Sequence, residues 1–376
     1  GFHLLKRINY HMKNTKEILQ ADLKYISNSI SEELDILSGK RILLTGGAGF
    51  LGYELSHLFS QVSENDQRDP IQLTIYDNLV RGSKKWLDIL SQKTNISLIE
   101  HDITKPIPDD SPDFDYIIHA ASIASPIYYR KFPIETIDAN VNGLRNLLDY
   151  ARKRTDLGKP IISMLYFSTS EIYGDPAPDS IPTPETYRGF VSCTGPRACY
   201  DESKRLGETL CVNFAQQFDV PVKIARPFNN YGPGLSINDR RILPDLAKNM
   251  MAKKDLILLS DGKASRTFCY IADAVCGYIK ILVKGRPGEP YNIGTQAPEI
   301  SMRELAEKVA EAGRKLFYYN GKVVYKTSKD ANYLVDNPNR RCPDISKASN
   351  ELGYNPQISI IEGIKRSLLW YRENQE

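Results

Sequence analysis

Short apolar runs alternate with amphipathic segments along most of this sequence. The short runs are typical of buried strands in a parallel sheet, and the longer segments repeat their apolar residues at the 3.6-residue spacing of a helix. The strand-like runs are Arg41–Thr45, Leu73–Tyr76, Ser97–Glu100, Tyr116–Ile118, Met164–Ser168 and Val222–Ala225. The helical segments include Asn140–Arg152 and Ser203–Phe218, with Leu206, Leu210 and Phe214 predicted to face inward. This alternation predicts an α/β protein with a Rossmann-type, doubly wound parallel sheet.

Two regions lie outside the alternation. Residues 1–38 precede the first strand, and their apolar side chains predict a helical extension of one or two helices that packs on the main body or on a partner. These side chains are Leu19, Leu23, Ile26, Ile30, Leu34 and Leu37. After residue 228, Pro and Gly interrupt the pattern. We therefore expect residues 39–228 to form the Rossmann domain. Residues 229–376 would mainly form a smaller ligand-binding domain, with part (about 262–295) returning to the Rossmann domain.

Composition narrows the class of protein. The 376 residues are 41% hydrophobic and 25% charged, as in ordinary globular proteins, and a net charge of +3 gives no reason to expect a nucleic-acid partner. No apolar run reaches the roughly 18 residues that span a bilayer. The cysteines show no Cys-x-x-Cys pair and no Cys/His metal spacing, so we expect reduced thiols, no metal and a cytoplasmic location. Because the chain begins with Gly1 instead of Met, an anchor ahead of it stays an open alternative.

A glycine-rich turn follows the first predicted strand. Gly46, Gly49 and Gly52 have the spacing G-x-x-G-x-x-G, which lets backbone N–H groups and a helix N-terminus hold a pyrophosphate. Asp77 ends the second strand, where a carboxylate accepts hydrogen bonds from a ribose 2′-OH and favours NAD over NADP. The sequence therefore predicts an NAD site. Its residues are predicted to be Gly46, Gly49, Phe50, Leu51, Asp77, Asn78, Asp102, Ile103, Ala120, Ala121 and Ser122, together with Tyr200 and Lys204.

A second set of residues predicts redox chemistry on an alcohol. Tyr200 and Lys204 are four residues apart, so on a helix they share one face, and an ammonium group beside a phenol lowers the pKa of the phenol. The strand that ends at Ser168 leads into Thr169, Ser170 and Glu171. Among the other candidates, His119 is expected to be structural, and Arg266 is the preferred ligand contact among the basic residues of the second half.

Several motifs resemble those of a known family. T-G-G-A-G-F-L-G (45–52), S-T-S-E-I-Y-G (168–174), Y-D-E-S-K (200–204) and R-P-F-N-N-Y-G-P (226–233) resemble the extended short-chain dehydrogenase/reductases that act on nucleotide sugars. H-A-A-S-I-A-S-P (119–126), G-P-R-A-C-Y-D-E-S-K-R (195–205), I-N-D-R-R (237–241) and R-C-P-D-I-S-K-A (341–348) are similar to those of the UDP-glucuronate decarboxylases within that family. The resemblance implies NAD-dependent conversion of UDP-glucuronate to UDP-xylose through a 4-keto intermediate, with NAD recycled. It also implies a homodimer that pairs through helices near 140–152 and 203–218.

The resemblance also implies a role for each site residue. Tyr200 would take the proton from the sugar 4-OH, Lys204 would lower the pKa of that tyrosine and hold the nicotinamide ribose, and Thr169 would bond near the reacting hydroxyl. Glu171 and Arg266 would act at the substrate carboxylate and in protonation at C5. We hypothesise that Glu171 disfavours the charge of that carboxylate. Substrate contacts are expected from Tyr129, Ser170, Asn229, Arg240, Arg266 and Arg341.

Some features depart from the family pattern. Gly234 stands where a basic residue is usual, Ser192–Thr194 replaces a more usual Asn-Pro-hydrophobic stretch, and Gly313–Asp336 is long and rich in tyrosine. These departures permit a related nucleotide-linked uronic acid as the substrate.

Three other functions stay open. A nucleotide-sugar 4,6-dehydratase would need an Asp-Glu pair where this chain has Ser170 and Glu171, and a 4-epimerase usually has a small residue at position 171. A non-catalytic nucleotide-sugar-binding protein is disfavoured by the complete set of Thr169, Tyr200 and Lys204.

Overall fold

A computed structural model describes residues 12–62, 67–81, 84–332 and 334–375. The helices are α1 (Thr15–Ser29), α2 (Ser31–Leu37), α3 (Phe50–Gln61), α4 (Lys85–Leu90), α5 (Pro126–Lys131), α6 (Pro133–Asp138), α7 (Leu144–Asp156), α8 (Ala198–Phe218), α9 (Ile242–Met251), α10 (Ile271–Lys284), α11 (Met302–Phe317), α12 (Ser346–Leu352) and α13 (Ile360–Glu373). The strands are β1 (Arg41–Thr45), β2 (Gln72–Asp77), β3 (Ile96–Glu100), β4 (Tyr116–His119), β5 (Ser163–Phe167), β6 (Val222–Pro227), β7 (Asn230–Tyr231), β8 (Leu256–Leu258), β9 (Ser265–Arg266), β10 (Cys269–Tyr270), β11 (Pro290–Ile293), β12 (Ile300–Ser301), β13 (Val323–Tyr325) and β14 (Arg340–Arg341). A π-helical turn (Ala139–Gly143) leads into α7, and short 3₁₀ turns cover Ser170–Tyr173 and Pro178–Ser180.

The central sheet has seven parallel strands in the order β11-β6-β5-β4-β1-β2-β3. Its strands are apolar on both faces because helices cover both. Ile42 and Leu44 of β1 belong to a core with α3 and α10, whereas Leu43 between them belongs to a second core with α7 and α8. The predicted Rossmann-type, doubly wound sheet is confirmed, and each predicted strand lies within about a residue or two of an observed one.

Helix α8 differs from its prediction in two respects. It begins at Ala198, before the predicted start at Ser203, so Tyr200 lies within the helix. Leu206 is 47% exposed, so its predicted inward orientation is wrong, whereas the predicted burial of Phe214 is confirmed. The buried face instead runs through Gly207, where a Cβ would lie 2.1 Å from the hydroxyl oxygen of Tyr166. This close approach fixes the rotation of the helix and turns Leu206 outward.

The N-terminal helices pack on the main body. Leu23, Ile26, Ile30, Leu34 and Leu37 are buried and Leu19 is partly buried, in one core with residues of α3, α10 and α13. Polar contacts add to this packing, since Asp22 accepts hydrogen bonds from Tyr270 (2.6 Å) and Arg366 (2.5 Å). The prediction of one or two helices is confirmed for 15–37, and its first residues, 1–11, lie outside the described part of the chain. None of the helices described is both long and apolar enough to cross a membrane.

A smaller layer follows the sixth strand of the central sheet. It contains a three-stranded sheet in the order β12-β9-β14, and β9 and β14 pair Arg266 with Arg341. Strand β11 then returns to the central sheet beside β6, while α10 packs behind it. The smaller layer therefore brings two arginines to the segment that follows β5.

Candidate functional site

The glycine-rich turn forms a tight cradle at the carboxyl ends of the strands. Gly46 has a φ of +71°, and a Cβ there would lie 2.6 Å from the backbone of Ala121, so only glycine fits. The turn is fixed by the N–H of Ala48, which donates to Asp77 (3.0 Å), and α3 begins directly after Gly49. This arrangement of backbone N–H groups and a helix N-terminus fits the pyrophosphate of a dinucleotide.

The other predicted cofactor residues follow neighbouring strands at the same edge of the sheet. Asn78 follows β2 and accepts from the N–H of Val80 (3.2 Å), and Asp102 follows β3 and accepts from the N–H of Thr104 (2.9 Å). Ser122 follows β4 and donates to Asn140 (2.7 Å). Phe50 and Leu51 begin α3, Ile103 is buried beside Asp102, and Ala120 precedes Ala121. The structure thus brings the predicted set together, and the individual contacts with NAD stay a prediction.

The inner face of α8 contacts the end of β5 and the segment that follows it. Its contacts are Glu208 with Ser168, Lys204 with Phe167, Tyr200 with Thr169 and Arg197 with Glu171. Lys204 donates from Nζ to the Phe167 carbonyl (2.8 Å), and the side chain of Thr169 also caps the following 3₁₀ turn. Because these α8 residues recur every three or four positions, one rigid helix positions the predicted Thr169, Tyr200 and Lys204 together.

Burial shifts the pKa values of the Tyr-Lys pair in opposite directions. It raises the pKa of Tyr200 to about 12, with the negative charge of Glu171 adding to the effect, while Arg241 and the hydrogen bond with Thr169 oppose it. Burial lowers the pKa of Lys204 to about 7. In the protein without ligands, burial therefore raises the pKa of Tyr200 by more than the expected effect of Lys204 lowers it. The physical reason is that a buried phenolate loses its hydration, and Lys204 donates to a carbonyl instead.

Glu171 lies between two arginines. It pairs with Arg197 and with Arg341, whose Nη2 lies 3.0 Å from Oε2 of Glu171. Burial opposes ionisation, but the two guanidinium groups outweigh it and hold the pKa of Glu171 at about 2. Glu171 is therefore an ionised, paired carboxylate. This does not support its expected roles as an uncompensated charge against the substrate carboxylate and as a proton source at C5.

The guanidinium of Arg266 contacts the backbone, and its predicted contact with a ligand stays a prediction. Its guanidinium donates to the carbonyls of Ser265 (2.7 Å) and Pro338 (2.7 Å), not to Glu171. Burial lowers its pKa to about 9, and the neighbouring charge of Arg341 adds to that shift. Arg266 thus holds the segment before β14, while its register partner Arg341 makes the direct contact with the carboxylate. The sequence predicted substrate contacts from both arginines, and it did not predict the pairing of Arg341 with Glu171.

Of the remaining predicted substrate residues, three lie near Tyr200, Glu171 or Arg266, and one lies at the surface. The ring of Tyr129 stacks on that of Tyr200, with centroids 4.9 Å apart and planes 11° apart, and Asn229 donates to the carbonyl of Thr267 (3.0 Å) beside Arg266. Ser170 is buried in the 3₁₀ turn.

Arg240 instead points to the surface beside Asp245 (3.8 Å), with 46% of its side chain exposed. Its neighbour Arg241, which the prediction passed over, is the one whose charge acts on Tyr200.

Two residues of the site were missed by sequence reasoning. Arg197 and Asp201 flank Tyr200 on α8, at positions −3 and +1, and both are largely buried beside Glu171. Helical spacing was the signal that could have identified them, because Arg197 lies three residues before Tyr200 and Asp201 lies four residues after Arg197. His119, in contrast, is structural as expected. It bonds to Thr45 (2.8 Å), and burial lowers its pKa to about 3.

The departure at Gly234 has a structural cause. This residue has a φ of +89°, and a Cβ there would lie 2.6 Å from the Cβ of Tyr53 on α3. A larger side chain would need both a strained backbone and a displaced Tyr53. The basic residue usual at this position is therefore excluded by the local packing.

The comparisons with known proteins agree with this geometry. Residues 42–294 match the model of the NAD dependent epimerase/dehydratase family, and the chain belongs to this family. NAD, the family's cofactor, is the one that the glycine-rich cradle predicted. Helices α1 and α2 precede the matched residues.

Curated relatives of the chain include decarboxylases. The chain is 38% identical over 324 residues to UDP-glucuronic acid decarboxylase 3 of Arabidopsis thaliana, covering 86% of each chain. It is 34% identical over 337 residues to UDP-glucuronic acid decarboxylase 1 of Xenopus tropicalis, covering 90% of this chain and 73% of that one.

Solved structures share the fold. An epimerase from Methanothermobacter thermautotrophicus superposes with a TM-score of 0.75 at 26% identity, covering 93% of this chain and 96% of that one. A dTDP-glucose 4,6-dehydratase from Streptomyces venezuelae with NAD bound superposes with a TM-score of 0.74 at 25% identity, covering 89% and 97%.

Proposed function

We propose that the protein decarboxylates a nucleotide-linked uronic acid, UDP-glucuronate, to UDP-xylose through a 4-keto intermediate, with NAD recycled in each turnover. The names of its relatives support this proposal. The observation that carries it is the excess of positive charge around Glu171, beside Tyr200.

Three largely buried guanidinium groups share this region with one ionised carboxylate. Arg197 and Arg341 pair with Glu171, and Arg266 lies close enough for its pKa to respond to that carboxylate. The Nε atoms of Arg197 and Arg341 have no hydrogen-bond partner among the described residues. A neutral hexose would leave this charge uncompensated, whereas the carboxylate of a uronic acid would compensate it and accept further hydrogen bonds.

The Tyr-Lys pair fits the redox step. When bound, NAD would supply the nicotinamide that takes hydride from C4 of the sugar and gives it back to C4 after decarboxylation. Tyr200 takes the proton of the 4-OH group and later returns it to the same oxygen. The hydrogen bond with Thr169 orients the phenol, and Lys204 supplies the positive charge that favours a phenolate.

Oxidation at C4 makes loss of CO2 feasible. The C6 carboxylate is then β to a ketone, so the C5–C6 bond can break while its electron pair enters an enolate. Thr169 and Tyr200 would stabilise the developing charge at O4 with their hydroxyl groups. C5 must then gain a proton before C4 can be reduced to the alcohol.

Incubation with UDP-glucuronate and NAD tests the proposal. We expect the product mass to fall by one CO2, with no lasting absorbance of reduced nicotinamide. Lasting NADH with a ketopentose would indicate a decarboxylase that releases its 4-keto product. Loss of water from a UDP- or dTDP-hexose would show a dehydratase, and interconversion at C4 without loss of mass would show an epimerase.

The homodimer and the compartment stay predictions. Helix α8 exposes Leu206, and α6 exposes Ile134 and Ile137, which are apolar side chains that a second copy could cover.

A further inference from the structure

Asp201 is a buried carboxyl group beside the catalytic tyrosine. It is 5% exposed, its Oδ2 lies 3.9 Å from Nε of Arg197, and its Oδ1 has no hydrogen-bond partner among the described residues. The Nε–H of Arg197 has none either. Such unpaired groups are rare inside proteins and are found where a ligand or a reaction needs them.

The groups around Asp201 come from several elements. Charged and titratable neighbours act on it from α8, α5, the 3₁₀ turn after β5, the segment before β14, and β14. They are Arg197, Cys199, Tyr129, Glu171, Asp336 and Arg341. Burial raises the pKa of Asp201 to about 8, the charge of Glu171 adds to this shift, and Arg197 and Arg341 oppose it. A carboxyl group with this pKa is mostly protonated at neutral pH.

The proposed reaction requires one proton that the other residues cannot readily give. Tyr200 must return its proton to O4, so that proton is not available to C5. Glu171 is ionised and paired with two arginines. Arg266 donates to carbonyls, and Lys204 donates to Phe167. Asp201 is the remaining buried carboxyl group among the described residues of this cluster, and burial raises the pKa of the Tyr129 hydroxyl far above that of a carboxyl group, which makes it a much weaker acid.

We propose that Asp201 donates the proton that C5 of the sugar gains after CO2 leaves, an inference that rests on the proposed function. The electron pair of the enolate forms the C5–H bond, and the O–H bond of Asp201 breaks. The new carboxylate faces the unpaired Nε–H of Arg197, which stabilises it until water returns the proton.

The Asp201→Asn variant tests this proposal, because asparagine keeps the shape and removes the acidic proton. In single turnovers with UDP-glucuronate, we expect NADH to form at the wild-type rate and to decay about 10²–10³-fold more slowly, the scale of general acid catalysis. The decline in wild-type kcat as pH rises through about 8 should also disappear from the profile. Glu202→Gln, on the partly exposed neighbour, is the matched control and should change neither result.

The outcomes separate this inference from the proposed function. If wild-type protein releases no CO2 from UDP-glucuronate, the proposed function fails. If it does, and NADH decays in Asp201→Asn at the wild-type rate, Asp201 is not the acid. If Asp201→Asn forms no NADH at all, Asp201→Glu decides. If Asp201→Glu forms NADH and above pH 8 consumes it faster than the wild type does, the role of Asp201 as proton donor is supported. If Asp201→Glu also forms no NADH, that role is overturned.

Discussion

The response of the site to pH depends on the ionisation of a few residues around Glu171. Glu171 stays ionised down to a pH of about 2, so its charge is constant at any working pH. Two neighbours change charge near neutrality instead, Lys204 with a pKa of about 7 and Asp201 with a pKa of about 8. The acid–base behaviour of the site therefore depends on residues of α8.

Arg341→Gln should impair turnover of UDP-glucuronate. Arg341 is buried beside Glu171, and its substitution removes a cation that we assign to the substrate carboxylate. We expect kcat/KM to fall by about 10² or more, the scale expected when a charge-assisted hydrogen bond is removed from a buried site, with NAD affinity unchanged.

Arg340→Gln is the matched control, because Arg340 precedes Arg341 and pairs with Glu299 at the surface. Its kcat/KM should change by less than about threefold. Equal effects of the two substitutions would contradict the role assigned to Arg341.

Sequence patterns located the residues that depend on local spacing. Tyr200 and Lys204 lie one helical turn apart, and Thr169 and Glu171 follow a strand directly, so periodicity identified them. The different contacts of Arg266 and Arg341 were not predictable in this way. They meet as register partners of two short strands far apart in the chain, and no local signal tells which one reaches Glu171.

At the scale of elements, the cofactor helix α3 carries an unusual buried acid. Glu54 is fully buried, and neither of its carboxyl oxygens has a hydrogen-bond partner among the described residues. Burial raises its pKa well above the ordinary value, and the charge of Asp22 on α1 adds to that shift. The contact between α1 and α3 therefore contains a group that resists ionisation.

Glu54→Gln should change how stability depends on pH. Above pH 4.5 an unfolded glutamate ionises while buried Glu54 stays protonated, so the folded state binds more protons and loses stability as pH rises. The substitution removes this loss, which reaches at most about 1.4 kcal/mol for each pH unit.

Urea unfolding of both proteins between pH 4 and pH 8 measures the difference. The variant should gain stability relative to the wild type steadily as pH rises. Glu307→Gln, on an exposed position of α11, should leave the pH dependence unchanged. Parallel curves for wild type and Glu54→Gln would show that Glu54 ionises normally.

At the scale of the whole molecule, the N-terminal helices share the core of the Rossmann layer. Ile18, Leu23, Ile26 and Ile30 belong to the same apolar cluster as β1, α3 and α10. Folding of α1 and α2 is therefore expected to be coupled to folding of the cofactor site.

Ile26→Ala tests this coupling. Ile26 is fully buried on α1, so its truncation should lower the free energy of unfolding by about 2–5 kcal/mol, in one transition shared by all probes. Ile36→Ala on α2 is the control, because Ile36 is 46% exposed and should change stability by less than about 1 kcal/mol. A separate early transition in Ile26→Ala would mean that the extension unfolds alone.

The strands of the central sheet were more predictable than the packing of the helices that cover it. Strands buried on both faces are continuous apolar runs, so their positions could be inferred directly from the sequence. The outward turn of Leu206 follows from the close approach of Gly207 to Tyr166. Periodicity predicted that α1 packs on the main body or on a partner, and its packing on the main body follows from its contact with α10. Both depend on residues distant in sequence, which local periodicity does not report.

The row of site residues along α8 has a mechanical consequence. Arg197, Tyr200, Asp201 and Lys204 share one rigid cylinder, so thermal vibration displaces them in concert and preserves their mutual spacing. Arg341 lies on β14, in a separate sheet. If the sheet that contains β14 shifts relative to α8, Tyr200, Asp201 and Lys204 keep their mutual spacing. The shift instead lengthens the ion pair between Arg341 and Glu171.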